Sequence, residues 1–204
     1  MYILGICGSP REFGNTRKFL DIVLEEASSA AETRLLWLGD KTIHGCRGCY
    51  GCVKEKRCVI QDDFQDIFAE IVRADGILLG SPVYHASITS EMKALLDRAG
   101  FSGRWAANAM RDAGESYSWG GSVFSGKVVA PVTVARRTGQ TLAFAELLIW
   151  ATCNDCVVVG NSYWNVGSAG KGGAVNAEED AEGVGIMRGL AKRMTHTIKR
   201  LKGE

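Results

Sequence analysis

Four cysteines fall within residues 46–58, at Cys46, Cys49, Cys52 and Cys58, spaced C-x2-C-x2-C-x5-C. Gaps of two residues let a loop turn so that successive sulfurs face one centre, and Gly45, Gly48 and Gly51 free the backbone for such turns. The bacterial ferredoxin motif opens the same way but places its fourth cysteine elsewhere, so the spacing points to a [4Fe-4S] site without being that motif. Two other readings stay open. Zinc is one, although structural zinc usually draws on two separated Cys/His pairs; a metal-free loop whose thiols pack or do redox chemistry is the other. His44 adjoins the run, as a polar loop residue or as a group that tunes a cluster.

A second chemistry-bearing stretch is Gly8-Ser9-Pro10-Arg11-Glu12-Phe13-Gly14-Asn15-Thr16. It lies between an apolar run at 2–7 and a helical pattern at 16–30 carrying Phe19, Val23 and Ala27 on one face. A strand, a hydroxyl-bearing loop and a helix start make an anion site, because unpaired N–H groups and the helix dipole point into the loop. Ser9, Asn15 and Thr16 can add donors and Arg11 adds charge. Neither G-x-G-x-x-G nor G-x-x-x-x-G-K-[ST] is present, so a single phosphate monoester fits better than a dinucleotide or a nucleoside triphosphate. The plainer alternative is a capped turn with no ligand.

Two further loops belong with this one. Ser81-Pro82-Val83-Tyr84-His85-Ala86-Ser87 follows an apolar run at 76–80; there Tyr84 can stack on a flat ring, and His85 can hydrogen-bond it or move protons near neutral pH. Arg136-Arg137-Thr138-Gly139-Gln140 follows a strand at 127–135, and is either a third crevice loop or a solvated helix start.

The elements that must position these loops alternate. Strands are expected at 2–7, 33–38, 76–80, 127–135 and 156–159, and helices at 16–30, 61–74, 89–99, 140–150 and 177–201, the last interrupted near 183–189. This predicts an α/β fold: a doubly wound, five-stranded parallel sheet of order 2-1-3-4-5 with helices on both faces, in which ligands lie beyond the carboxyl ends of the strands. One domain spans 1–204, with an aromatic loop at 101–126 (Trp105, Tyr117, Trp119, Phe124) expected as a lid or a subunit contact.

The 46% apolar and 23% charged residues are those of a globular protein, and a net charge of +1 argues against nucleic-acid or membrane partners. The N-terminus lacks a signal-peptide pattern, so a cytoplasmic location is expected. There the seven cysteines are thiols or ligands. Cys7 is expected in the core, Cys153 and Cys156 as buried thiols at a helix-to-strand turn, and His196 on the surface.

Together the stretches GSPREFGNT, CRGCYGCVKEKRCVIQDDF, GSPVYHASITSEMKALLDR, VARRTG and SYWNVG resemble the flavodoxin-like NADPH-dependent FMN reductases, and within them the iron-sulfur flavoproteins. The resemblance covers nearly the whole chain. It implies FMN bound through its phosphate by the loop of Ser9, Arg11, Phe13, Gly14, Asn15 and Thr16, with Pro82, Val83, Tyr84 and His85 lining the isoalloxazine and Ala135, Arg136 and Gly139 approaching it. Tyr84 and His85 are then the catalytic candidates. It also implies a [4Fe-4S] cluster on the four cysteines, NAD(P)H or a ferredoxin-type partner as donor, and a homodimer or homotetramer. The leading expectation is a flavoprotein relaying electrons between cluster and FMN. The alternatives are a cluster-free NAD(P)H-dependent reductase of flavins, quinones or other small oxidants, and a non-enzymatic redox carrier or sensor.

Overall fold

The structure, a computed structural model, describes residues 1–110 and 121–204. Strand β1 (Tyr2–Cys7) is apolar throughout and buried along its length, as a central parallel strand must be. It pairs in parallel with β2 (Glu32–Trp37) on one side and β3 (Gly76–Pro82) on the other, and β3 pairs with β4 (Val128–Ala135). The order is β2-β1-β3-β4-β5, as expected.

Alternate side chains separate two cores. Leu4 and Ile6 face α3 (Phe64–Arg73), α4 (Ser90–Met110) and α5 (Gln140–Cys153). Ile3 and Cys7 face α1 (Asn15–Ala27) and α6 (Ala181–Lys202). Cys7 is thus a core residue, its thiol pushed up to about 11 chiefly by burial.

The last strand differs from expectation. β5 is only Val157–Val158, and a sixth strand, β6 (Val166–Ser168), pairs further along β4. Val128 and Val129 face β5 whereas Thr133, Val134 and Ala135 face β6, and Pro131 stands between. Val129 O accepts from Val159 N and Thr133 N donates to Asn165 O, so position 131 also turns its nitrogen to this edge. Proline has no N–H to donate, and the edge strand leaves the sheet there.

Three other expectations are corrected. α4 continues to Met110, so the first part of the stretch 101–126 is helix, and Phe124 is buried against Trp150 (ring centroids 5.3 Å apart). Tyr117 and Trp119 lie outside the described residues. α6 is unbroken, and two of its glycines sit at close approaches: a Cβ on Gly183 would come to 3.0 Å from Phe19 and one on Gly189 to 3.1 Å from Asn161, while Asp180 caps the helix by accepting from Gly183 N at 2.9 Å. Cys153 is exposed, not buried, since it ends α5 on the solvent side; Cys156 is half-buried and its thiol is pushed up to about 12 by burial. His196 is exposed on α6. Among the described residues no helix is long and apolar enough to cross a membrane.

Candidate functional site

A cleft of about 540 Å³ opens above the carboxyl ends of β1, β3 and β4, within the size range of small-molecule sites. Its floor is the loop after β1, which is tied down from several sides. Gly8 N donates to Gly80 O at 2.8 Å, Thr89 Oγ1 donates to Gly8 O at 2.7 Å, and Trp37 Nε1 donates to Ser9 O at 2.7 Å. Ser9 Oγ accepts from Arg11 N at 3.1 Å, closing the loop on itself, and a Cβ on Gly14 would crowd that hydroxyl at 3.2 Å. Gly14 is also the N-cap of α1 and offers no side chain, so the first amides of this 13-residue helix keep their donors for a ligand. Ser9, Arg11, Phe13, Gly14, Asn15 and Thr16 all line the cleft.

Pro82, Val83 and Tyr84 form a second wall and Val134, Ala135 and Arg136 a third. Val83 N donates to Val134 O at 2.8 Å, locking the two walls together. Tyr84 and Ser87 exchange backbone hydrogen bonds of 2.9 Å across a tight turn whose central residues, His85 (φ 49°) and Ala86 (φ 64°), are left-handed. From α5, Glu146 Oε2 accepts from Ser87 Oγ at 2.8 Å and Ile88 N at 3.0 Å, holding the turn in place. Tyr84 faces the cleft, whereas His85 is exposed at the apex of the turn and is not among the lining residues. Gly139 does not line the cleft either; it backs the turn, with room for a Cβ limited by Val83 at 3.3 Å, and its φ of 96° favours glycine.

A fourth wall was not anticipated from sequence. Ala169, Gly170, Gly172, Gly173 and Asn176 follow β6 and complete the cleft. Arg11 Nη1 donates to Gly172 O at 3.1 Å. Asn15 uses both ends of its amide here: Nδ2 donates to Val175 O at 2.6 Å, and Oδ1 accepts from Ala177 N at 3.1 Å. Asn15 therefore holds this wall against α1 rather than leaving its amide free for an anion. The only sequence signal was the glycine density of GSAGKGG, needed because Gly170, Gly172 and Gly173 all have positive φ.

The four cysteines all line one smaller hollow of about 90 Å³, together with Arg98, Phe101 and Ser102 of α4. The short helix α2 (Gly51–Glu55) sits inside the run, bracketed by left-handed Tyr50 and Lys56. Cys52 is the buried member; burial raises its thiol, and the neighbouring Cys58, Cys46 and Cys49 add to the rise. Among the described residues no three His, Cys, Asp or Glu side chains stand close enough to hold a single metal ion. Four soft sulfur donors around a common hollow suit an iron-sulfur cluster by donor chemistry. Beside them Arg98 and Asp62 form a buried ion pair at 2.6 Å. Burial opposes the charge on Asp62, but hydrogen bonds from Arg98, His44 and Phe64 outweigh it and hold the carboxyl well below the usual range. His44 is spent on the same carboxylate, with Nδ1 3.0 Å from Asp62 Oδ2.

A parallel sheet of order 2-1-3-4-5 with its cleft over the first βα loop defines a flavodoxin-like protein. The profile of the NADPH-dependent FMN reductase family matches residues 1–171, and the chain belongs to that family. It is an FMN-dependent oxidoreductase. An iron-sulfur flavoprotein of Methanocaldococcus jannaschii is 32% identical over 99% of this chain and 100% of its own length. One from Methanosarcina thermophila is 29% identical over 98% of this chain and 96% of its own. The flavoenzyme NAD(P)H:acceptor oxidoreductase FerB of Paracoccus denitrificans shares the fold, with a TM-score of 0.63 at 17% identity over 98% of this chain and 97% of that one.

Proposed function

We propose that this oxidoreductase holds FMN in the cleft and a [4Fe-4S] cluster in the cysteine hollow, and couples one-electron to two-electron chemistry. FMN, when bound, supplies hydride acceptance together with stepwise electron release, and a cluster supplies single-electron transfer. The residues of the chain do the rest. The amides at the start of α1, with Ser9, Arg11 and Thr16, take the phosphate; Tyr84 covers the ring; Pro82, Val83 and Ala135 keep water from it; and Arg136 marks the mouth where NAD(P)H enters. His85, at the exposed apex of the neighbouring turn, meets the incoming substrate rather than the flavin. Cys46, Cys49, Cys52 and Cys58 are the cluster ligands.

The observation carrying this reading is that one helix serves both places. Thr89, just before α4, fixes the phosphate loop through Gly8, and Arg98, Phe101 and Ser102 of α4 wall the hollow, beginning about 14 Å further along the helix axis. Arg47, Lys54 and Arg57 are exposed around that hollow, beside exposed Tyr50 and Val59, and suit an acidic ferredoxin-type carrier. Binding of such a carrier should weaken as salt is raised; salt-independent binding counts against this rim. A reducing, cytoplasmic setting fits seven free cysteines. Anaerobic purification with iron and sulfide analysis tests the central point, with about four of each expected per FMN. FMN-loaded protein that holds no iron after reconstitution would remove the relay and leave a cluster-free NAD(P)H-dependent reductase.

A further inference from the structure

Arg98 is 1% exposed, among the largest fully buried side chains in the protein, and its guanidinium is divided between a carboxylate and a thiol. Nη1 donates to Asp62 Oδ1 at 2.9 Å and Oδ2 at 2.6 Å, and to His44 O at 3.1 Å. Nη2 donates to Ile60 O at 3.0 Å and to Cys58 Sγ at 3.3 Å. The guanidinium carbon lies 4.1 Å from the centre of the Phe64 ring, and Nε has no acceptor.

A buried ion pair costs desolvation that its own attraction barely offsets, so stability alone is a weak reason for one here. Asp62 and the two carbonyls account for the ordering of 44–62. They do not account for a fork aimed at sulfur, or for a dry N–H left over beside a hollow lined by four thiols. A planar guanidinium can grip a carboxylate and a sulfur at once, which an ammonium cannot.

We propose that Arg98 is a positioning residue that holds Cys58 as the fourth ligand of the cluster and sets the cluster's reduction potential. This rests on the cluster reading above. Reduction adds one electron from a one-electron donor with no change of ligands, so the hollow gains one negative charge. A cation at hydrogen-bond distance from a ligand sulfur, in a site where water screens little, favours that added charge and moves the potential positive. Asp62 carries the opposite charge but grips the other half of the fork, so it offsets the effect only in part.

The test compares reconstituted wild-type protein with R98K, R98Q and the double variant D62N/R98Q, which avoids stranding a buried carboxylate. Iron and sulfide are counted per FMN, and the cluster is titrated by electron paramagnetic resonance alongside the FMN potential of the same sample. The expected result is a cluster potential that moves negative in R98K and further in R98Q, or a loss of iron in R98Q, with the FMN potential unmoved. The double variant should move the same way but less far than R98Q, since the offsetting carboxylate is removed with the arginine. Unchanged cluster potential and full iron in all three variants would overturn the role of Arg98 while leaving the relay standing. Equal shifts in the cluster and FMN potentials would also overturn it, since they would report a general loosening of the fold. Wild-type protein that takes up no iron would remove the cluster and this role together.

Discussion

The hydroxyl of Thr89 does two things at once: it accepts from Met92 N at 3.4 Å, capping α4, and donates to Gly8 O at 2.7 Å. T89V keeps the shape and removes both bonds, so it should lower stability by about 1–2 kcal/mol in urea titration and weaken FMN binding through a looser loop. Unchanged FMN affinity in a destabilised variant would show that the tie does not shape the site. Tyr84 and His85 separate in the same way. Y84A should weaken FMN binding by about tenfold, the loss expected for one aromatic contact. H85A should leave FMN affinity within about twofold and slow turnover instead. The reverse pattern by fluorescence titration and steady-state rates would mean that the cleft wall has been assigned to the wrong side of the turn.

Among the elements, the loop from β2 to α3 is organised by Asp62, which also accepts from the backbone of His44 and Phe64. Its carboxyl titrates lower in the folded protein than in the unfolded chain. The stability it confers is therefore complete above the ordinary carboxylate value of about 3.9 and is lost as pH falls below it toward the folded value. D62N should cost about 3 kcal/mol at neutral pH and flatten the acid limb of a stability-versus-pH curve. An acid limb as steep as that of wild type would place the sensitivity elsewhere. The sequence made this region legible only in part. The cysteine spacing pointed to four thiols around one centre, and they do line one hollow, but Arg98 was not singled out, because nothing local marks a charge destined for burial. The fourth cleft wall was hidden for a related reason: β6 is three residues long and its wall is glycine, which carries neither periodicity nor an apolar run. The parallel strands, by contrast, were plain from their uninterrupted apolar runs, and Ser9, Arg11 and Thr16 from the shape of a βα turn. α6 was misjudged because glycines that allow close helix packing look the same in sequence as glycines that end a helix.

Across the whole molecule, the surface is uneven. Leu142 and Ile149 on α5 are 63% and 61% exposed, and Tyr163 and Trp164 are 63% and 51% exposed. Leu142 and Ile149, seven residues apart, share one flank of α5, while Trp164 stacks on Phe144 of the same helix with ring centroids 6.4 Å apart. Exposed apolar groups of this size suit a contact between copies of the chain. Sedimentation is expected to give a multiple of 22.0 kDa, and a monomer at that mass would contradict it. The broader claim is that the turn after β1 grips a phosphate while the other walls hold a ring. Equilibrium titration of the cofactor-free protein with FMN and with riboflavin, which lacks the phosphate, tests this most directly. The account requires FMN to bind at least about a hundredfold more tightly, the worth of two or so charge-assisted hydrogen bonds. Equal affinity for the two flavins would contradict it.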